Sequence, residues 1–144
     1  MSAPPVILPP IPRRWQRLLT IGGGLAVFLW LRLEDHGVIT ALIMGLIAAT
    51  LIFINWLWPH LSGRPHTPRK LIIFAAACGA GLGLLTALAS AFLMLLKNGF
   101  HGHLNPDYPA GLLLDTLGRA PAWALAGALL AVAAALAALA ARNR

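Results

Sequence analysis

The residues with the clearest chemical potential lie in two polar segments between apolar runs. His101 and His103 stand two residues apart and are followed by Asp107, while His36 lies in an acidic connection earlier in the chain. Imidazoles and carboxylates can together bind Zn²⁺ or Cu²⁺, and a catalytic zinc usually has three protein ligands. These four side chains therefore form a candidate metal site. The alternative is that they are polar residues forming hydrogen bonds at the level of lipid headgroups.

A second candidate is the pair of adjacent carboxylates Glu34 and Asp35, which precede the second apolar run. They could cap the positive end of the helix that follows. They could also pair with one of three basic residues, Arg32, Lys97 or Arg119. General acid/base catalysis would need a pocket and a shifted pKa, and the sequence indicates neither. We therefore expect a structural role for this pair.

The composition places these polar residues at the ends of membrane segments. Of the 144 residues, 59% are hydrophobic and only 10% are charged, which is too few to cover a soluble domain. This excludes a soluble enzyme, a disordered chain and a disulfide-stapled secreted domain. The net charge of +7 comes without a basic face bearing aromatic residues, so we expect no nucleic-acid partner. The single cysteine, Cys78, is interpreted as a packing residue.

The apolar runs predict an all-α integral membrane protein with four transmembrane helices in an antiparallel bundle. The helices are expected at about 15–33, 38–58, 71–96 and 120–141, with Pro59 ending the second. The first helix has a short uncharged part, so Arg17 and Arg32 must reach opposite interfaces. No cleavage motif follows it, and we expect it to be a retained span. A short interfacial helix is expected near 110–117.

The distribution of charge predicts the orientation of these spans. Residues 1–14 form a proline-rich tail, 15–141 the transmembrane domain and 142–144 a basic tail. One side of the arrangement has eight basic residues, and the other has three basic residues and all four acidic ones. The positive-inside rule then places both termini in the cytoplasm, at the plasma or inner membrane. The eight residues expected to contact lipid headgroups are Arg13, Arg14, Arg17, Arg64, Arg69, Lys70, Arg142 and Arg144.

Small residues recur at every fourth position in several predicted helices, where they permit close approach of backbones in lipid. The rows are Ala75, Gly79, Gly83, Ala87 and Ala91 in the third helix, Gly22 and Ala26 in the first, and Ala120, Ala124, Ala128 with Gly127, Ala131, Ala135 in the fourth. Two interpretations remain open for these ridges. They pack the helices of this chain together, or one of them contacts another subunit.

The predicted spans carry no ionisable residue at their centres, which argues against an ion-coupled transporter or proton channel. The sequence also contains none of the motifs H-E-x-x-H, G-x-S-x-G, C-x-x-C or the P-loop. It favours a non-catalytic accessory or scaffold subunit that packs through Gly/Ala ridges against other membrane chains or copies of itself. The alternatives are a small oligomeric transporter or channel component, and a metal-binding protein or metal-dependent membrane enzyme at the histidines. No cofactor is expected apart from that zinc or copper.

Overall fold

A computed structural model describes residues 5–101 and 106–142 of the chain. Within these ranges the fold is all-α, apart from two short strands that pair in an antiparallel manner. The elements in chain order are β1 Val6–Ile7, α1 Arg13–Arg32, α2 Val38–Leu61, β2 Pro65–His66, α3 Pro68–His101, α4 Ala110–Gly118 and α5 Ala120–Arg142. Two residues named in the sequence analysis, His103 and Arg144, lie outside the described ranges.

Three of the helices, α2, α3 and α5, are long and apolar enough to cross a membrane. Four such helices were expected, but α1 falls outside this group because four of its 20 residues are arginines. The helix α3 is longer than predicted at both ends, with 34 residues. Its extension beyond residue 96 moves Lys97 from an expected loop into the helix. The short helix expected near 110–117 is present as α4.

The expectation that Pro59 ends α2 is wrong, because the helix continues to Leu61. Over Phe53–Leu57 the helix widens into a π turn, and the N–H of Trp58 bonds to the carbonyl of Phe53. A proline inside an α-helix removes one hydrogen bond and collides with the carbonyl four residues earlier. The wider turn relieves that collision, since it shifts the bonding pattern immediately before the proline. The chain then reverses at Gly63, whose φ is +75°.

The longest helix, α3, is the central element and packs against both α2 and α5. The contact with α2 is made at Gly45, where a Cβ atom would overlap the backbone and hydroxyl of Ser90. Ala41 and Ala49, one turn to either side, are fully buried. These three α2 residues have the same four-residue spacing as the predicted ridges, although the sequence analysis did not identify them. Since α5 packs mainly against α3, the helices form an open row rather than a closed bundle.

Two glycines of the ridge predicted on α3 pack against α5 of the same chain. A Cβ atom at Gly79 would overlap the carbonyl of Gly127 and lie 2.6 Å from the Cβ of Ala131. A Cβ atom at Gly83 would overlap the carbonyl of Trp123. Farther along the same ridge, Ala87 and Ala91 are buried and Ala75 is half-buried. The ridge therefore serves internal packing at its two glycines, which is the first of the two interpretations left open above.

Large apolar side chains lie mostly on the outside of the helices. Leu129 and Leu130 on α5 are 62% and 73% exposed, and Phe92 on α3 is 58% exposed. Lipid tails are as apolar as leucine, so burying such residues against another helix brings little gain in a bilayer. A surface of leucine and phenylalanine around an interior of glycine, alanine and serine is compatible with a membrane protein.

The charged residues are sorted to the two ends of the helix row. One end, here called the basic end, carries the β1–β2 pair and seven described basic residues: Arg13, Arg14, Arg17, Arg64, Arg69, Lys70 and Arg142. The opposite end, here called the acidic end, carries Glu34, Asp35, Asp107 and Asp115 together with Arg32, Lys97 and Arg119. The helix directions that follow from the α1–α2, α2–α3 and α3–α5 contacts produce this sorting.

We predict that Gly83→Leu separates α3 from α5 and lowers the free energy of unfolding by about 3 kcal/mol, because a leucine side chain must displace helix backbone. Reversible unfolding of the purified protein in mild detergent measures this change. The matched control is Gly81→Leu, since a Cβ atom at Gly81 has no neighbour within 4 Å. Equal stability of the two variants would contradict the α3–α5 contact.

Candidate functional site

The densest group of polar contacts lies at the acidic end and is centred on Lys97. This side chain is fully buried. Its ammonium donates hydrogen bonds to the carbonyl oxygens of Asp35, at 2.6 Å, and Trp30, at 3.3 Å. It also lies 4.3 Å from the centre of the Trp30 ring. Carbonyl oxygens and an aromatic face together supply the negative surroundings that a buried cation requires.

The position of Lys97 follows from the packing of three helices. Below it, an apolar cluster of Trp30, Ala41, Leu93, Met94 and Tyr108 fixes α3 against α1 and α2. The ammonium therefore meets the last turn of α1 and the connection that follows. The carbonyls at a helix C-terminus lack partners within the helix and carry partial negative charge, which favours a cation there. Lys97 thus closes the end of α1 from a different helix.

The carboxylate of Asp35 organises the connection between α1 and α2. It accepts hydrogen bonds from the N–H of Gly37, at 2.9 Å, and from the indole Nε1 of Trp30, at 3.0 Å. The bond from Gly37, then those from Trp30 and the Thr40 hydroxyl, and the charge of Lys97 hold the pKa of Asp35 below its ordinary value. Asp35 thus binds Gly37, the residue just before α2, but no side-chain hydrogen bond caps the first turn of α2, so the expected capping contact is absent there. The hydrogen bond from the Lys97 ammonium goes to the main-chain carbonyl of Asp35 and not to the Asp35 carboxylate.

Tyr108 ties the segment before α4 to the same connection. The side chain is fully buried, and its hydroxyl lies 3.2 Å from the carbonyl of Asp35 and 3.4 Å from that of Gly37. Burial, with the charges of Asp35 and Asp107, raises the pKa of Tyr108 to about 12, so the hydroxyl keeps its proton at neutral pH. The side-chain amide of Asn98 pairs with both the N–H and the carbonyl of Tyr108.

The described members of the predicted metal site are His36, His101 and Asp107. They lie together, and both histidines contact the Asp107 carboxylate directly. The two oxygens of Asp107 lie 3.3 Å from Nδ1 of His36 and 2.9 Å from Nδ1 of His101. The Asp107 side chain is 4% exposed, whereas that of His36 is 61% exposed. In residues 5–101 and 106–142, no group of three His, Cys, Asp or Glu residues could hold a metal ion. Since His103 lies outside these ranges, the four-residue metal site remains a prediction.

These contacts link four parts of the chain: the end of α1, the connection to α2, the last turns of α3 and the segment before α4. We call the set of Trp30, Asp35, Lys97, Asn98, Asp107 and Tyr108 the acidic-end clamp. Sequence reasoning named Lys97 as one of three possible partners of Glu34 and Asp35 but not as a buried residue, and it gave the Tyr108 side chain no role. The available signal was a lone lysine directly after 26 uncharged residues, together with the single tyrosine of the chain. The carbonyls and carboxylates of the clamp are engaged in these contacts. The clamp is therefore suited to holding the helices in position.

A smaller polar set joins α1 and α2 near the basic end. Gln16 donates to the Asn55 side-chain oxygen at 3.1 Å, and Asn55 donates to the Thr20 hydroxyl at 2.8 Å. Deeper polar groups are bonded within their own helix. The hydroxyl of Thr86 donates to the Leu82 carbonyl, and that of Ser90 to the Thr86 carbonyl, each at 2.8 Å. These hydroxyls are therefore not aimed at a polar path through the helices.

We predict that Lys97→Met lowers the free energy of unfolding by about 1–3 kcal/mol, because it removes the charged donor from two carbonyl oxygens, which keep only the Leu33 N–H and the Tyr108 hydroxyl. Methionine keeps the length and apolar stem of the side chain, so the loss reports the ammonium. Reversible unfolding in mild detergent gives the value, with Lys70→Met at the exposed basic end as the control. A Lys97→Met protein as stable as this control would show that the ammonium does not hold the clamp together.

The clamp and the α1–α2 polar set are thus the two described sites where polar side chains join different helices. No family model, curated protein or solved structure matches the chain. The contacts of the described residues are therefore the basis for assigning a function.

Proposed function

We propose that this chain is a four-span, non-catalytic membrane protein that acts as an accessory or scaffold subunit. In this proposal, a transmembrane helix of another membrane chain docks in the groove between α1 and α2. The observation that carries the proposal is Gly22, an open glycine that lines this groove and that the chain's own packing does not require.

The course of α1 supports a fourth span. Its 20 residues extend roughly 30 Å, which matches the thickness of the hydrocarbon core. Gln16 meets Asn55 near the basic end, Gly23 meets Ile47 midway, and Trp30 meets Lys97 at the acidic end. The strand β1, which precedes α1, pairs with β2, which follows α2. A helix that lies along a spanning neighbour from end to end is best accounted for as a span itself.

The same course supports an orientation. The basic end carries seven described basic residues, whereas the acidic end carries three. The positive-inside rule then assigns the basic end, and with it both chain termini, to the cytoplasmic side. The proposed location is the plasma or inner membrane of the cell.

We predict that cysteines placed before and after α1 react on opposite sides of the membrane. Pro10→Cys and Glu34→Cys introduce thiols at two exposed positions. A membrane-impermeant maleimide applied to intact cells should label Glu34→Cys, and it should label Pro10→Cys only after permeabilisation. The unmodified chain, with Cys78 inside α3, gives the background. Labelling of both positions from one side would show that α1 does not cross.

The groove between α1 and α2 has a volume of about 470 Å³ and is lined by Leu18, Leu19, Gly22, Gly23, Leu46, Ile47, Thr50, Leu51 and Ile54. A Cβ atom at Gly23 would lie 3.0 Å from Leu51 and 3.1 Å from Ile47, so α2 accounts for that glycine. A Cβ atom at Gly22 would have no neighbour within 4 Å. Glycine inside a helix is about 1 kcal/mol less favourable than alanine. Close approach of a further helix accounts for Gly22, because small residues permit backbone contact in lipid.

The state of the other polar groups favours a subunit over a transporter or an enzyme. The buried hydroxyls of Thr86 and Ser90 are bonded within α3, and Lys97, Asn98 and Tyr108 of the clamp donate to main-chain carbonyls. These side chains hold helices together, which is what a subunit that presents a helix surface requires. The transporter component and the metal-dependent enzyme remain alternatives that the following experiment separates from the proposal.

We predict that Gly22→Leu removes the partner without unfolding the chain. The tagged protein is purified in gentle detergent from its own membranes at native expression level, and the chains that accompany it are identified by mass spectrometry. The expected result is a stoichiometric membrane chain whose recovery falls at least ~10-fold in Gly22→Leu, or about 1.4 kcal/mol of binding free energy. The matched control, Gly81→Leu, changes a second open glycine on α3 and should retain the partner.

Recovery of the protein alone would overturn the accessory role. Recovery only as a homo-oligomer would also overturn it and favour the transporter component, to be followed by flux measurements in liposomes. A stoichiometric metal in the purified protein, lost in a His101→Ala and His103→Ala double variant, would instead favour the metal-dependent alternative.

A further inference from the structure

A separate cavity lies at the basic end, between the last turns of α2, the first turns of α3 and the last turns of α5. Its volume is about 360 Å³, and its lining is almost entirely apolar. This volume falls within the range of roughly 300–1,000 Å³ that is typical of ligand pockets. Val6 in β1 and Leu8 directly after β1 contribute to its wall. The cavity shares no lining residue with the groove between α1 and α2.

The sequence explains why this space is not filled by side chains. The part of α5 that faces the cavity contributes alanines alone: Ala131, Ala134, Ala135 and Ala138. Across from them stand Phe74, Cys78 and Leu82 of α3. Helices pack to high density when long and short side chains alternate across the interface, and a run of alanines leaves the facing space open. The space is therefore open because α5 contributes only short alanine side chains to this region.

One polar atom in the wall of the cavity lacks a hydrogen-bond partner. The indole Nε1 of Trp58 is buried, and it has no partner among the residues that the structure describes. An indole nitrogen is only a donor, and a buried donor left unpaired is unfavourable by about 1–3 kcal/mol. The other polar ring in the wall is already engaged, since Nε2 of His66 lies 3.0 Å from the Leu61 carbonyl. The atom lies beneath the apolar surface of the cavity, so the indole must turn before a ligand in the cavity can accept this hydrogen bond.

The end of the molecule at which the cavity lies is strongly basic. Lys70 precedes the lining residue Leu71, and Arg142 stands one helical turn beyond the lining residue Ala138. Arg64, Arg69, Lys70 and Arg142 are all exposed. The four carboxylates of the chain lie at the acidic end, so they do not neutralise this charge. A ligand that fits here has an apolar chain, one hydrogen-bond acceptor and a negative headgroup.

We propose that this cavity binds one acyl chain of an anionic phospholipid. When the lipid binds, the Trp58 indole turns so that Nε1 donates a hydrogen bond to the ester carbonyl of the lipid, and the phosphate lies among Arg69, Lys70 and Arg142. Tryptophan is enriched at the depth where ester carbonyls meet the acyl chains, and basic side chains beside it attract anionic headgroups. The lipid would fill the space that the alanines of α5 leave open.

The native cysteine provides a direct test, because Cys78 lines the cavity. The full-length protein in detergent is reacted with N-ethylmaleimide, alone, with phosphatidylglycerol, or with phosphatidylcholine bearing the same acyl chains. We predict that phosphatidylglycerol at about ten times its dissociation constant slows the labelling of Cys78 roughly tenfold. Phosphatidylcholine at the same concentration should slow it much less. Equal slowing by both lipids overturns the anionic headgroup, and no slowing by either overturns the site.

Substitutions separate the contributions of the site, with bound lipid counted by native mass spectrometry. Trp58→Phe keeps the ring but removes the donor, and should weaken phosphatidylglycerol binding about tenfold. Arg69→Gln with Lys70→Gln should abolish the preference over phosphatidylcholine, while Arg32→Gln at the acidic end should not. Ala135→Phe should exclude the lipid, and Leu129→Phe on the outer face of α5 should not. Lipid counts unchanged in the Trp58 and Arg69–Lys70 variants would overturn the proposal even if Ala135→Phe failed to fold.

Discussion

The contact between the backbones of α3 and α5 is the constraint on which the rest of the molecule depends. In lipid, helices gain little from hiding apolar side chains, so their attraction must come from dispersion at short distance. Gly79 and Gly127 allow the two backbones to touch, and Gly45 allows α2 to reach Ser90, about two helical turns beyond Gly83 on α3. Because these approaches admit no side chain, they determine the separation of the helices. The larger residues are left to face outward.

A second kind of interaction takes over at the acidic end, where small-residue packing stops. There the helices are joined by a buried ammonium, a buried tyrosine and a carboxylate, bonded mostly to main-chain atoms. A charge at the centre of the helices would have no such carbonyls nearby, since a continuous helix uses its own. At the end of α1 and in the connection that follows, the carbonyls of Trp30 and Asp35 accept a further hydrogen bond, and Lys97 can be buried at that position. The two interactions act at different depths. Glycine contacts determine the helix separation in the middle of the molecule, and the clamp holds the helices together at the acidic end.

Much of this could be predicted from local patterns. The apolar runs predicted the helices, the four-residue spacing predicted the Gly79–Gly83 ridge, and the charges predicted two distinct ends. What could not be predicted depends on contacts between distant segments. Pro59 stays within α2 because a π turn precedes it, and Lys97 becomes helical because Asp35 and Trp30 supply carbonyls from across the fold. Of the candidate metal ligands, spacing placed His101 near Asp107, but only the fold brings His36 to the same carboxylate.

The groove at Gly22 and the cavity at the basic end differ in the occupant that each favours. The groove at Gly22 is a shallow region between two helices, where a glycine exposes backbone that another helix can contact. The cavity at the basic end is lined by alanines and aromatic rings, with a lone indole donor and a basic surround. A helix has its backbone bonded internally and so cannot use that donor, whereas an ester carbonyl can. A lipid therefore suits the cavity and a protein helix suits the groove, so the two surfaces can be occupied at the same time.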